Sequence, residues 1–338
     1  MTAFANPEAF AAALAALPVA DGAAREAALA RQARLTKPAG SLGRLEEIAV
    51  FMAGWQARAR PAVDVVQAVI FAGNHGVAAR GVSAFPTAVT AQMVANFAAG
   101  GAAINALTRA CGADLAVIAL DLERPTADIT QGPAMRVDEC LDALNQGAAS
   151  LREDTQLLLV GEMGIGNTTA ASALCVQALG GTARDWTGRG TGVDDSGLQR
   201  KIAAIDAAIY LHGAMCPDAF ESLRRLGGRE IAAIAGAILA ARLRRIPVLI
   251  DGFIVTAALA TLAADNPLIA AHCLAAHRSA EGAHGRALDL LGLDPLLQLG
   301  LRLGEGSGAA LAVPIVQAAL AVHNEMATFD EAGVASAA

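Results

Sequence analysis

The chain has 338 residues, of which 55% are apolar and 17% are charged, and its formal net charge at pH 7 is −7. This composition provides a large core and excludes a mainly disordered chain. The acidic balance, with no basic cluster, argues against nucleic acid as a partner.

The first sixty residues are predicted to be helical. Apolar residues recur at helical spacing over 7–17 and 23–34, and a further helix is predicted after Ser41. Segment 309–326 is also predicted to be a helix. We therefore expect a small helical domain built from both termini (1–60 plus 309–338) and a large α/β domain over 61–308.

Residues 61–308 alternate between buried-strand patterns and helix-length segments. Continuous apolar runs, rather than alternating ones, are typical of parallel strands covered on both faces. The fold class predicted is α/β, with a doubly wound, mainly parallel sheet. Six strands are predicted, within segments 63–76, 113–122, 155–164, 246–253, 270–282 and 296–308.

Most of these predicted strands stop at a glycine that accompanies a polar side chain. In an open α/β sheet, ligands bind outside the carboxyl ends of the strands, so these side chains are expected to line one crevice. Simple turn formation explains the glycines but not the recurring acids. The polar residues are His75, Glu162, Asp251, Ser279 and Glu305.

Two glycine-rich loops predict a phosphate site. The stretch after the third strand, "GEMGIGNTT", resembles a P-loop but has Asn167 where lysine would reach the β- and γ-phosphates. Gly164 and Gly166 leave backbone N–H groups open to an anion at a helix N-terminus, which suits a monophosphate. A second loop, 187–195, precedes a helix that carries Lys201. A solvated helix face is the alternative interpretation of Lys201.

Metal and nucleophile motifs are missing from the sequence. There is no HExxH and no GxSxG, so neither a metal nor another cofactor is expected. The five cysteines lie far apart without a CxxC and are predicted to be buried thiols of a reducing compartment. The apolar run 252–264 is shorter than the ~18 residues of a membrane span. We therefore expect a cytoplasmic protein without a membrane span.

Glu305 is the strongest candidate for a catalytic base. It follows an apolar run and lies between two glycines, where desolvation would raise the pKa of its carboxyl group. The alternative is an ordinary glutamate whose charge is favourable beside a helix N-terminus.

Eight motifs in order together resemble the nicotinate-nucleotide–dimethylbenzimidazole phosphoribosyltransferase family. The resemblance extends from about Leu35 to Ala312, which is most of the chain. The motifs are "LTKPAGSLGRLE", "FAGNHGV", "GVSAFPTAVTAQMV", "VGEMGIGNTT", "TGRGTGVDD", "LIDGF", "HRSAEGAH" and "RLGEGSGAALA".

The resemblance implies a Rossmann-like large domain, a small helical domain and a homodimer. It implies transfer of phosphoribose from nicotinate mononucleotide to 5,6-dimethylbenzimidazole, which yields α-ribazole 5′-phosphate, a precursor of cobalamin, and nicotinate. The family's catalytic glutamate falls on Glu305, and its other active-site acids fall on Glu162 and Asp251. Phosphate and ribose contacts fall on Gly164, Gly166, Asn167, Thr168, Gly190, Lys201 and Ser279. The base pocket falls on Ser83, Phe85, Gln92 and Leu303, the loosest part of the match.

Two other functions remain open from the sequence alone. The near P-loop would also fit a nucleotide-dependent kinase or NTPase, although Asn167 argues against it. A non-catalytic nucleotide sensor could use the same crevice and would not need Glu305.

Overall fold

A computed structural model describes residues 4–190 and 192–335. Its centre is a five-stranded, entirely parallel sheet with the order β2-β1-β3-β4-β5. This confirms the predicted α/β class and the parallel sheet. The strands are β1 (Val66–Ala72), β2 (Asp114–Ala119), β3 (Leu157–Met163), β4 (Val248–Ile250) and β5 (Cys273–Ala275).

Helices precede, connect and follow the strands. The N-terminal part contributes α1 (Pro7–Ala15), α2 (Gly22–Gln32) and α3 (Arg44–Gln56). The next are α4 (Ala88–Ala98), α5 (Ala103–Cys111), α6 (Val137–Ala149), α7 (Asn167–Leu179), α8 (Ala183–Trp186) and α9 (Asp195–His212). The last are α10 (Ala219–Leu226), α11 (Arg229–Leu243), α12 (Phe253–Asp265), α13 (Gly282–Leu291), α14 (Ser307–Glu325) and α15 (Phe329–Ala332).

The two faces of the sheet are covered by different helices. One core cluster combines side chains of the sheet with those of α6, α7, α11 and α12, and a second combines them with α3, α5 and α14. Every residue of β1 is buried, as the continuous apolar runs predict. β2 is the exception, because it lies at the sheet edge and its residues are exposed or half-buried.

The predicted sixth strand, in segment 296–308, is wrong. The chain there forms an isolated parallel bridge between His277 and Leu297 and a few backbone hydrogen bonds to segment 275–280, but no strand. Gly300 and Gly304 have φ values of +71° and +80°, which are incompatible with a continuous strand. Leu299 is 61% exposed, so the apolar pattern does not mark a buried strand at this point.

The helices of the two termini are joined directly. The Arg31 guanidinium on α2 donates hydrogen bonds to the carbonyl oxygens of His323 (2.7 Å) and Asn324 (3.1 Å) on α14. α14 also packs on α3 and on β3. It has the length and apolar composition of a membrane span, but 56% of that window is buried inside the molecule. The division into domains at 61 and 308 stays a prediction.

The strand order brings two loops together at the carboxyl edge of the sheet. β1 is the first strand in sequence and lies between β2 and β3, which makes it a topological switch point where ligands bind in such folds. The loop after β1 is hydrogen-bonded to the end of β3 at this edge. The N–H of Gly73 donates to the carbonyl of Met163, the last residue of β3, at 3.0 Å.

Candidate functional site

Glu305 occupies an unusual backbone position at this edge. Gly304, Glu305 and Gly306 have φ values of +80°, +59° and +73°. A left-handed glutamate is uncommon, and such residues occur where the surroundings enforce the conformation, often at active sites. The side chain is only 6% exposed. Burial, and next the charge of Asp251, raise the pKa of Glu305 to about 7.

Asp251 holds this segment in place. Its carboxylate follows β4 and accepts hydrogen bonds from the N–H groups of Gly306 (3.1 Å) and Ala309 (2.9 Å). It therefore caps the first turn of α14, where a negative charge is favourable. His277 lies on its other side, with Nε2 3.5 Å from an Asp251 carboxylate oxygen.

Glu162 lies against the same segment from β3. A β-carbon added to Gly304 would meet Oε1 of Glu162 at 2.5 Å, so the two elements approach closely there, and the φ of +80° at Gly304 favours glycine. The side-chain amide of Asn167 donates a hydrogen bond to the other carboxylate oxygen of Glu162. Burial, then the charges of Asp251 and Glu230, raise the pKa of Glu162 to about 8. The group is therefore mainly protonated at neutral pH.

Sequence reasoning missed a fourth buried acid, Glu230. It belongs to the first turn of α11, is fully buried, and has Oε1 2.5 Å from Nε2 of His75. A β-carbon added to Gly164 would meet the same carboxylate at 3.3 Å. The signal in the sequence was a single acid in the first turn of a largely apolar helix. The strand-end residue His75 is thus paired with an acid rather than free to act as a base.

Lys201 joins the two glycine loops. Its ammonium donates to Oγ1 of Thr168 (2.9 Å) and to the carbonyl of Gly188 (3.1 Å). A β-carbon added to Gly190 would lie 3.3 Å from Nζ. Burial lowers the pKa of Lys201 to about 8, and the charge of Glu281 opposes that shift. With 1% exposure, Lys201 is not on a solvated helix face.

A small cavity of about 30 Å³ lies beside this lysine. Asn167 lines it and also contacts Glu162, so the cation and the acid cluster share one residue. The N-terminus of α7, where the N-cap residue Gly166 has φ +95°, borders this space, and a helix N-terminus favours an anion. Sequence reasoning missed Arg189, a second cation in the lining. The lining residues are Val82, Ser83, Gly164, Ile165, Gly166, Asn167, Thr168, Arg189, Val193 and Lys201.

The residues expected to form the base pocket are not enclosed in this single chain. Phe85 and Leu303 are 48% and 55% exposed, and Gln92 is also exposed. Ser83 lines the cavity beside α7 and accepts a hydrogen bond from the N–H of Phe85 at 3.3 Å. Ser279 is buried, and its hydroxyl donates to the carbonyl of Leu301 at 3.0 Å.

The cysteines and the acids show no metal-binding arrangement in the part of the chain that the structure describes. No three His, Cys, Asp or Glu side chains are grouped so that they could hold an ion there. All five cysteines are buried and unpaired, which confirms the prediction of buried thiols.

Comparisons with known proteins give one consistent result. A phosphoribosyltransferase family model matches residues 17–334. Nicotinate-nucleotide–dimethylbenzimidazole phosphoribosyltransferase of Novosphingobium aromaticivorans is 63% identical over 335 residues, covering 99% of each chain. The protein of the same name from Rhodobacter capsulatus is 57% identical, covering 94% of this chain and 95% of its own.

A solved structure agrees with these sequence relatives. The crystal structure of the enzyme of the same name from Thermus thermophilus superimposes with a TM-score of 0.87 at 39% identity. The match covers 94% of this chain and 100% of the other. The near P-loop, the Gly304–Glu305–Gly306 segment and the fold therefore have a common explanation: the chain belongs to the nicotinate-nucleotide–dimethylbenzimidazole phosphoribosyltransferase family.

Proposed function

We propose that the protein transfers the 5-phosphoribosyl group of nicotinate mononucleotide to 5,6-dimethylbenzimidazole, with inversion at C1′. The observation that carries this proposal is Glu305, a buried carboxyl whose pKa is about 7, at the carboxyl edge of the sheet. A general base is most effective when its pKa lies near the working pH.

The reaction needs one base and no general acid for the leaving group. The glycosidic nitrogen of nicotinate mononucleotide is a pyridinium, so the departure of nicotinate cancels a positive charge. The attacking benzimidazole nitrogen forms the bond to C1′, and the ring becomes cationic until its other N–H loses a proton. Glu305 accepts that proton and orients the ring.

Glu162 is proposed to stabilise the positive charge that develops at C1′. This role requires the ionised carboxylate, whereas burial raises the pKa of Glu162 to about 8. The pyridinium of bound nicotinate mononucleotide would favour ionisation, because an opposite charge nearby lowers a carboxyl pKa. Substrate binding and charging of Glu162 are thus coupled. Asp251 is proposed to act at the same site by holding the backbone of Gly306.

The phosphate is proposed to bind between the two glycine loops. Lys201, the hydroxyl of Thr168 and the N-terminus of α7 converge there. The cavity has room for only a water molecule or two, so a bound phosphate group would need more space. We propose that the phosphate takes the place of the Gly188 carbonyl as a hydrogen-bond acceptor for Lys201. Gly190 would approach the phosphate or ribose by its backbone, and Ser279 is proposed as a ribose contact.

The acceptor base is proposed to lie against Ser83, Phe85, Gln92 and Leu303. The exposed faces of Phe85 and Leu303 are suitable walls for a flat heterocycle once another surface covers them. We propose a homodimer in the cytoplasm as the working form, as the family resemblance implies.

The decisive experiment is to incubate the protein with nicotinate mononucleotide and 5,6-dimethylbenzimidazole and to identify the products by mass. We expect nicotinate and a ribazole phosphate in equal amounts. Parallel reactions with a purine and with a phenol test which aromatic acceptor the enzyme prefers. ATP hydrolysis with magnesium and no nicotinate release would favour an NTPase. Binding of nicotinate mononucleotide without turnover would favour a sensor.

A further inference from the structure

A second cavity lies far from these loops, between α2, α3 and the residues that precede β4 and β5. Its volume is about 720 Å³, within the range of small-molecule sites. Most of its wall is apolar, including the half-buried Phe51 and the buried Trp55. The lining is Val19, Ala20, Arg25, Leu29, Gln32, Gly40, Gly43, Glu46, Glu47, Val50, Phe51, Trp55, Arg242, Leu268 and Ala271.

A buried and unpaired cation forms part of this wall. The Arg242 side chain is 1% exposed, and its Nε and Nη1 find no hydrogen-bond acceptor among residues 4–190 and 192–335. The guanidinium carbon lies 4.1 Å from the ring centre of Trp55. Burial lowers the pKa of Arg242 to about 10. Buried charges in proteins are normally paired, so a cation left in this state requires an explanation.

Two neighbouring interactions stabilise the Arg242 cation but do not satisfy its donors. The ring of Trp55 offers a cation–π contact, and the C-terminal end of α11 favours a positive charge. Trp55 is itself fixed, because its indole N–H donates to the carbonyl of Ala271 at 3.0 Å. The surrounding scaffold therefore holds the guanidinium in place, while its Nε and Nη1 groups have no acceptor in the described chain.

The acids at the cavity do not neutralise Arg242 either. Glu46 pairs with Lys37 at 2.8 Å, and Glu47 pairs with Arg44 at 3.2 Å. The exposed Arg25 adds a further positive charge to the lining. Arg44 also pairs with Asp294, so the lining charges without an ion-pair partner among the described residues are those of Arg25 and Arg242, which favours an anionic ligand over a cationic or neutral one.

We propose that this cavity binds an amphipathic organic monoanion, whose carboxylate pairs with Arg242 while its apolar body lies against Phe51, Val50 and Leu29. A carboxylate can accept two hydrogen bonds from a guanidinium, which would satisfy the open donors. The apolar rim, with Val19 and Leu268 66% and 59% exposed, would cover the rest of such a ligand. The inference does not depend on the proposed transferase activity.

The first test is calorimetric titration of the whole protein with naphthoate. We expect one bound molecule per chain and no comparable binding of naphthamide, its uncharged analogue. Arg242→Met should weaken naphthoate binding at least tenfold. Arg109→Gln removes an exposed arginine that does not line this cavity, and it serves as the matched control. Equal affinity of wild type and Arg242→Met would overturn the proposal.

A second pair of variants keeps the test valid if Arg242→Met fails to fold. Leu268 is exposed at the rim, so Leu268→Glu places a negative charge at the mouth without disturbing the core, and Leu268→Gln is its neutral control. Leu268→Glu should weaken naphthoate binding about threefold or more relative to Leu268→Gln. Equal affinities would contradict the proposal.

Two further outcomes would also overturn it. If Lys201→Ala abolished naphthoate binding, the ligand would be in the phosphate site instead. If Leu268→Glu changed the sedimentation of the protein rather than its naphthoate affinity, the cavity would be a contact between two copies of the chain. Intact binding in Lys201→Ala and unchanged sedimentation are expected.

Discussion

The two ends of α11 carry opposite buried charges in opposite surroundings. Glu230, in the first turn, lies among other acids and pairs with His75. Arg242, in the last turn and roughly 18 Å away along the axis, has no acid partner in the described chain. The helix dipole favours both charges, so it cannot explain why one end gathers acids and the other does not.

The difference shows that at the acidic end of α11, the end near Glu230, carboxyl groups gather where ionisation is costly. Several carboxyl groups share one desolvated edge, so each raises the cost of ionising the next. Burial first, and next the charges of neighbouring acids, raise the pKa values of Glu162 and Glu305 to about 8 and about 7. A cationic pyridinium substrate would reduce the repulsion among these acids, whereas the positive charge of Arg242 would repel such a substrate.

The largest expected effect comes from removing the base at the acidic end. Glu305→Gln should lower turnover by about two to four orders of magnitude, because the benzimidazole proton would have no acceptor. Steady-state kinetics with both substrates measure this loss. Glu325→Gln, an exposed acid at the far end of α14, is the matched control. Near-normal turnover of Glu305→Gln would eliminate the proposed mechanism.

The pH profile should show the same group titrating. Glu305 works as the carboxylate, so kcat/KM should fall about tenfold per pH unit below about pH 7. Because Glu162 titrates nearby, the measured values belong to the coupled pair. The acid limb should disappear from the residual activity of Glu305→Gln. An acid limb that begins near pH 4.5, the ordinary value for glutamate, would show that the acidic end does not perturb its base.

Lys201 is a buried cation that, unlike Arg242, has oxygen partners next to the acidic end. Lys201→Ala should raise KM for nicotinate mononucleotide about tenfold and leave kcat nearly unchanged, because the phosphate does not react. In wild type, KM should also rise above about pH 8, where Lys201 loses its proton. Arg200→Ala, the exposed neighbour on α9, is the control. An unchanged KM would remove Lys201 from the phosphate site.

The sequence predicts the sheet well where apolar runs and burial coincide. β1 and β3 lie inside predicted segments and are buried almost throughout. The prediction is wrong for 296–308, since "LLQLGLRLG" has the composition of a strand but its glycines adopt positive φ. Apolar composition alone cannot distinguish a buried strand from a half-exposed loop that carries Leu299 and Leu303.

The candidate site could be predicted where a strand-like apolar run precedes a polar residue. Glu162 lies near the end of β3 and Asp251 follows β4, whereas the run before Glu305 is a loop in the structure. All three acids nevertheless meet at one edge of the sheet. Glu230 arrives from a helix start, and nothing in its local sequence reports that His75 lies 2.5 Å away. The capping of α14 by Asp251 likewise depends on where two distant segments pack.

The remaining prediction concerns the stability of the fold rather than activity, and it depends on the protonation of Glu162. The folded-state pKa of Glu162 is about 8 against an ordinary value of 4.5, so as pH rises the unfolded chain loses this proton first. Folding free energy should therefore weaken between about pH 4.5 and pH 8. Glu162→Gln removes this dependence and should stabilise the protein by about 1–3 kcal/mol at pH 8 and little at pH 5. Denaturant unfolding at both pH values measures the difference, with the exposed Glu153→Gln as control. A gain of equal size at both would mean that Glu162 is not held protonated, and the contrast between the two ends of α11 would then lie in packing rather than in proton affinity.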